Sequence, residues 1–435
     1  MGMDWAWITR WTGILGRFTI VQLAIQFINA FTGFLIIRLL DKPEYGAFTI
    51  ANSLISVACI SADCGMSHAL PAIGGPCWNE RDRLSSLIKT ALSLRPWLML
   101  NAILVALPIS IWVMSKSGLS ATQTALFCAL SLSVIWPSTS ASILCSVTRL
   151  HARIGQIQQF DLAGALMRAA WCGAAVFLGL NAVTALMGTL ASLLVQWMLV
   201  RHQVASILDE NAAPATEWRI ALKEKLRHLY PLILFYSLQG QVGTWLISIT
   251  AKTEKVADLG ALSRLGVLFA IIVAPVATIA TPALSRAPTL ARLKTIFAHS
   301  LFFFTFLSAA LAVVCWFMPG IILWVLGGKY SHLERELFWF SISSGIAGMA
   351  AITWGLCTAR GWTRFVWLNA AAVLGMQVVA PLWCDISQVM GVIWFSMFAN
   401  IASLIAGASI AWVEYSRAAK ITRSTQLSAS ESSTP

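Results

Sequence analysis

Runs of about 20 apolar residues, broken by short polar connectors, recur from one end of the chain to the other. At 1.5 Å per residue such a run, folded as a helix, crosses the ~30 Å hydrocarbon core of a bilayer. Twelve spans are predicted, at 14–37, 46–70, 92–114, 119–147, 162–180, 182–200, 229–250, 259–283, 297–326, 336–358, 364–384 and 388–413. The ninth carries Pro319-Gly320, where a break is expected, because proline removes a helix donor and glycine weakens the turn.

Composition agrees. The 435 residues are 58% hydrophobic and 11% charged, with mean hydropathy +0.75. A soluble domain carries roughly 25% charged residues, so this chain cannot cover a water-facing surface and reads as an all-α polytopic membrane protein. The start, MGMDWAWITRWTG, places Trp5, Trp7 and Trp11 like an interfacial belt, and the apolar run behind it is long enough to span rather than be cleaved. The nine cysteines lie mostly inside spans with no CxxC pair, so they read as small packing residues and not as metal ligands or disulfides. No metal and no cofactor is expected.

Charge adds the orientation. With both termini cytoplasmic, 22 of the 30 basic residues fall on the inner side and 8 on the outer, the bias of a multi-pass cytoplasmic-membrane protein. This accounts for most of the net charge of +12 without nucleic acid as a partner.

The chain also echoes itself. Shifted by 214 residues, 38–70 aligns without gaps on 252–284: Arg38 meets Lys252, Glu44 meets Asp258, and Gly46-Ala47 meets Gly260-Ala261. The octet DKPEYGAF (41–48) thus has a counterpart in KVADLGAL (255–262). The shift of six spans preserves orientation, which predicts two parallel repeats. The expected organisation is a six-helix lobe over 1–200, a cytoplasmic linker over 201–228, a second six-helix lobe over 229–413 and a disordered Ser/Thr-rich tail over 414–435.

Polar stripes mark candidate chemistry. Gln22, Gln26, Asn29 and Gly33 fall at i, i+4, i+7 and i+11 of the first span, one face of a helix. Ser237, Gln241, Thr244 and Ser248 do the same in the seventh, and Asn52, Ser56, Cys59 and Asp63 in the second. Such stripes either glue helices together or line a hydrated cavity. Their presence on corresponding helices of both halves favours the cavity. Asp63 is either a cavity acid or the partner of a neighbouring Arg. Arg17, Arg95 and Arg168 read as snorkelling near inner span ends, and Arg17 lies across its helix from the Gln22 stripe. Arg264, Arg38 and Lys252 sit on the outer side against the charge bias, which suggests contact with an anion; a guanidinium suits phosphate. No acid falls mid-way along the first or seventh span, where an exporter of cations would carry one.

The run RLLDKPEYGAFTIANSLISVACISADCGMSHAL resembles the start of Wzx-type polysaccharide flippases of the MOP exporter superfamily. The shared features are an Arg-Leu-Leu-like end to the first span, an acidic–Tyr–Gly turn, and Asp-x-Gly closing the second span, here Asp63-Cys64-Gly65. IILWVLGGKYSHL (321–333) resembles the Gly–x–x–Tyr element after the family's ninth span. GLCTARGWTRFVWLNAAAVLG (355–375) resembles its Arg-containing connection between the tenth and eleventh. The resemblance implies a MOP/MATE-like fold of two six-helix bundles and a flippase for polyprenyl-diphosphate-linked oligosaccharide, serving cell-surface polysaccharide biosynthesis by alternating access. It makes DKPEYGAF the outer turn between the first two spans. Arg264, then Arg38 and Arg17, become diphosphate contacts; Gln22, Gln26, Asn29, Asn52 and Gln241 become sugar contacts. Membrane lipids, a polysaccharide polymerase and a chain-length regulator are the implied partners. Two rivals are a MATE-type ion-coupled exporter and a polyprenyl-dependent polymerase or ligase. The second would carry a sizeable outer loop with carboxylates, whereas the outer connectors here are short, and no GxxxxGK[ST] or HExxH motif is present.

Overall fold

The computed structural model describes residues 5–431 apart from 152, 210, 211, 286–288, 361, 363 and 364; side chains are described within 20–420, apart from those positions and 154, 178, 268, 270–283 and 285. The described residues form helices and turns only. They run α1 (Trp5–Leu39), α2 (Lys42–Asp63), α3 (Met66–Gly74), α4 (Arg81–Lys116), α5 (Ala121–Leu150), α6 (Ile154–Leu178), α7 (Ala182–Ala205), α8 (Thr216–Gln239) and α9 (Val242–Thr250). They continue as α10 (Thr253–Ser285), α11 (Leu290–Phe317), α12 (Pro319–Leu326), α13 (Glu334–Ala359), α14 (Val366–Val379) and α15 (Val389–Glu431).

Each of the twelve expected spans falls on one helix or one interrupted pair. Among the described residues, nine helices are long and apolar enough to cross a membrane, and ten when α8 and α9 count as one span bent by 44°. The interruptions have local causes. Pro319 opens α12 after the ninth span, as expected from Pro319-Gly320. Between α2 and α3 the backbone turns left-handed at two successive residues, Cys64 (φ 49°) and Gly65 (φ 88°). A side chain at Gly65 would meet both that conformation and the side chains of Ile233 and Leu229.

Starts are capped where the chain re-enters the membrane. Ser120 and Gln123 form a reciprocal capping box on α5, and Asn181 and Thr184 form another on α7. Each satisfies orphan backbone donors that the apolar helix cannot.

DKPEYGAF is not a turn. Only Leu40 and Asp41 separate α1 from α2, and the octet from Lys42 onward forms the first turns of α2. Pro43 occupies an N-terminal helical position, where its missing N–H costs nothing. KVADLGAL lies likewise inside α10.

Two compact units result, Met1–Gly260 and Ala261–Pro435. In the first, Cys64, Leu70, Leu87, Leu94, Ile143 and Val200 belong to one buried core that joins α3, α4, α5 and α7. A second cluster joins Ala58, Ala62, Ala102, Ala106 and Ile135, small residues that let α2, α4 and α5 approach closely. The second unit packs Phe304, Ile352, Leu356 and Ile410 of α11, α13 and α15.

The hydrophilic stretch 201–228 is mostly helix: α7 runs on to Ala205 and α8 starts at Thr216. The residues between are tied to α4. Arg81 donates to the Leu208 carbonyl (3.2 Å), Ser86 to the Ala213 carbonyl (2.8 Å), and the Asp209 and Ala215 amides donate to Ser85 and Thr90 (2.8 and 3.0 Å). At the other end of the chain, α15 extends beyond its apolar run into the polar tail as far as Glu431.

Candidate functional site

The polar stripe of α1 is in place. Gln22, Gln26 and Asn29 are half-buried, one turn apart along one helix, while Gly33 is fully covered. No hydrogen-bond partner reaches these three side chains among the described residues, whereas Thr32, off the stripe, donates to the Ile28 carbonyl at 2.8 Å. An amide in hydrocarbon without a partner costs several kcal/mol by transfer scales, about 2–7. Among the described residues, three in a row on an apolar helix thus present amides that water or a polar ligand can satisfy.

The stripe on α2 divides. Asn52 and Ser56 are half-buried and, among the described residues, unpartnered, like the α1 amides. One turn on, the face meets α5. Ser138 hydrogen-bonds the Cys59 thiol, and Ser142 donates a short hydrogen bond to the Asp63 carboxylate. Asp63 also accepts from the Ser67 hydroxyl at 2.9 Å and the Ser67 amide at 3.3 Å. The acid therefore caps α3 after the left-handed Cys64-Gly65 step and ties α2 to α5. Among the described residues no Arg is its hydrogen-bonding partner. Asp-x-Gly is thus a helix interrupter: the acid supplies the cap and glycine the backbone freedom.

The seventh span departs from its counterpart. α1 runs unbroken, but α8 ends at Gln239 and α9 restarts at Val242, with Gly240 and Gln241 at the bend. The bend places Gln241 at the N-terminal cap of α9, half-buried and with no side-chain partner among the described residues. Ser237, one turn earlier, is buried, its hydroxyl unsatisfied among the described residues. A broken span frees backbone groups as well as side chains for a ligand. α9 is anchored to α2 by Trp245, whose indole donates to Ser53 at 3.0 Å. Asn52 thus stands beside the helix that carries Gln241.

The two acids that match in the sequence echo each tie helices together within the first unit. Lys42 donates to Asp258 at 2.8 Å, and Asp258 is almost fully buried. Its repeat counterpart, Glu44, accepts from the Ala182 amide at 2.9 Å, at the start of α7 where the helix dipole favours an anion. Gly46 and Gly260, the matched glycines, lie at the same crossing: a Cβ on Gly46 would collide with the Thr253 carbonyl, and one on Gly260 with the Thr49 side chain. The charges and glycines of the octet are therefore used between helices, a long-range pairing invisible to a local reading.

The basic candidates are placed as follows. Arg38 is exposed at the end of α1, and Arg264 is half-buried in α10, six residues beyond Asp258. The side chain of Arg17 lies outside the described residues. Arg95 is held against α5. Its guanidinium packs 3.6 Å over the Trp136 ring and donates to Ser140 at 2.7 Å. Arg168 stands halfway along α6 and not near its start, because α6 begins eight residues before the expected apolar run. Sequence reasoning missed Lys42, Trp136 and Ser140; of these, only Lys42 beside the echoed Glu44 carried a signal.

No protein-family model matches the chain, and no curated protein matches it in sequence. Solved structures do match in fold. An inward-facing multidrug resistance MATE family transporter of the MOP superfamily is 13% identical, with a TM-score of 0.70 over 91% of this chain and 99% of the other. Lipid II flippase MurJ in an inward closed conformation is 12% identical, with a TM-score of 0.74 over 90% and 86%. A MOP superfamily transporter from Pyrococcus furiosus is 14% identical, with a TM-score of 0.62 over 92% and 94%. The chain has the fold of MOP superfamily transporters.

Proposed function

We propose that this protein is a MOP-type flippase for polyprenyl-diphosphate-linked oligosaccharide, acting by alternating access in the cytoplasmic membrane with both termini inside. One observation carries the reading: Gln22, Gln26, Asn29, Asn52 and Gln241 are set on apolar helices with no partner for their amides among the described residues. Glycan hydroxyls both donate and accept, so they match primary amides. Arg264, Arg38 and Arg17 are the proposed diphosphate contacts, for their forked donors. The lipid II flippase among the structural neighbours is consistent with cargo of this kind. A polymerase and a chain-length regulator are proposed partners.

A second reading, ion-coupled export of small molecules, is favoured by the MATE transporter matched over 99% of its length. Ligand-induced stabilisation separates the two. A ligand at 100 times its Kd raises folding stability by about 2.7 kcal/mol. The lipid-linked oligosaccharide is therefore expected to raise the unfolding temperature of the purified protein by several degrees, with cationic dyes giving no shift. A shift with the dyes alone selects the exporter.

A further inference from the structure

Two arginines of the first unit converge at the membrane boundary. Arg95 is the fourth residue of the apolar run 92–114 and Arg201 the first beyond the run 182–200, so both sit where hydrocarbon gives way to headgroups. Their helices run in opposite directions and are tied at one end, where Arg81, the first residue of α4, donates to the Leu208 carbonyl just past α7. Counted from that tie, Arg95 is seven residues deeper than Arg201, about 10 Å along the helix. Helical side chains lean toward the start of their own helix, so Arg95 leans back toward the tie and Arg201 away from it, each toward the other. The residues beside them, Leu94 and Val200, share one buried core with Ile143 and Leu144 of α5. The charge on Arg201 bears on Arg95.

Both guanidinium groups are held in place by tryptophan. Arg95 lies 3.6 Å from the Trp136 ring centroid and donates to Ser140 at 2.7 Å. Arg201 lies 5.5 Å from the ring centroid of Trp197, which packs against the same core. A cation over an indole face keeps its charge and its outward N–H donors. Among the described residues neither arginine is paired with a carboxylate. Two like charges repel, and an anion between them replaces that repulsion with forked, charge-assisted hydrogen bonds on both sides. The anion that a bilayer supplies at this depth is a lipid phosphate. Arg201 is exposed and Arg95 half-buried, so a headgroup can reach both, and the nearby Trp97, Met198 and Leu199 are exposed apolar residues for its chains.

We propose that Arg95 and Arg201 form a headgroup site for a phospholipid of net negative charge, its phosphate bound between the two guanidinium groups. Its place in the inner leaflet rests on the proposed orientation, whereas the site itself is independent of the cargo. The purified full-length protein is titrated in neutral detergent with phosphatidylglycerol, and lipid-bound species are counted by native mass spectrometry. One phosphatidylglycerol per chain is expected to bind more tightly than any further copy. Phosphatidylcholine is expected to bind more weakly, because its choline brings a third cation to the pair. Arg201→Gln, at an exposed position, is expected to weaken the first copy about tenfold, equivalent to ~1.4 kcal/mol. Arg95→Gln is expected to do the same, and Arg201→Gln decides alone if that variant folds poorly. Lys225→Gln, which removes an exposed basic residue of α8, is expected to leave the first copy unchanged.

An equal loss with Lys225→Gln overturns the proposal, since binding then follows the general basic charge of the surface. So does phosphatidylcholine binding as tightly as phosphatidylglycerol. Displacement of the lipid by millimolar inorganic phosphate overturns it by making the ligand a soluble anion. Displacement by one equivalent of a polyprenyl diphosphate also overturns it, and assigns the two arginines to the carried lipid.

Discussion

At the scale of single residues, buried polar groups sort by whether they have partners. Asp63 has three donors, from Ser67 twice and from Ser142. Asp63→Ala is expected to lower stability by about 1–2 kcal/mol, the worth of a helix cap plus a buried hydrogen bond, read as a lower unfolding temperature in detergent. Asp63→Asn keeps an acceptor oxygen and is expected to transport at near wild-type rate; a complete loss would mean that the charge itself is used. The stripes of Gln22, Gln26, Asn29 and Asn52 were legible in the sequence because helical spacing alone places such residues on one face. The roles of Cys59 and Asp63 were not. Their spacing fits the same stripe, but Ser138 and Ser142 arrive from a helix nearly 80 residues away, and a local pattern carries no record of them.

Among elements, the crossing of α2 and α10 matters most. Lys42, Gly46, Asp258 and Gly260 meet there, an ion pair together with two glycines that match at the shift of 214 residues. Lys42→Met removes the ammonium donor from the buried Asp258 carboxylate and is expected to cost about 3 kcal/mol, the low end for removing one partner of a buried pair because Lys42 is partly exposed. The double variant Lys42→Met/Asp258→Leu is expected to recover most of that loss in thermal unfolding. Gly46→Val forces the helices apart and is expected to lower both stability and transport. The sequence pointed to these residues through the echo between 41–48 and 255–262, yet suggested turns. Turn-forming residues such as Pro43 and Gly46 also serve at a helix start and a close helix crossing, and only the three-dimensional pairing separates those uses. The bend between α8 and α9 was similarly hidden: Gly240 lay inside an apolar run whose periodicity continues across it.

Over the whole molecule, hydropathy was sufficient for the fold, since every expected span lies on a helix or a broken pair. In hydrocarbon each backbone donor must be satisfied within the helix, so length and apolarity determine the element. Orientation is a proposal from the basic-residue bias and is checked with reporter fusions. Alkaline phosphatase joined after Lys116 is expected to be active and after Ala205 inactive, and the opposite pattern reverses every inside and outside assignment. The cargo was the least legible, because amides and guanidinia suit many anionic glycans equally.

The central claim is that unpartnered amides on α1 carry a lipid-linked sugar. Its most direct test is the leaflet exchange of a fluorescent polyprenyl-diphosphate oligosaccharide in proteoliposomes, followed by quencher access. Wild type is compared with Gln22→Leu/Gln26→Leu/Asn29→Leu at equal protein incorporation. Wild-type exchange is expected, with the triple variant slowed at least tenfold, or ~1.4 kcal/mol, the equivalent of one to two lost hydrogen bonds. Equal rates in the two proteins, or no exchange by wild type, would contradict the account.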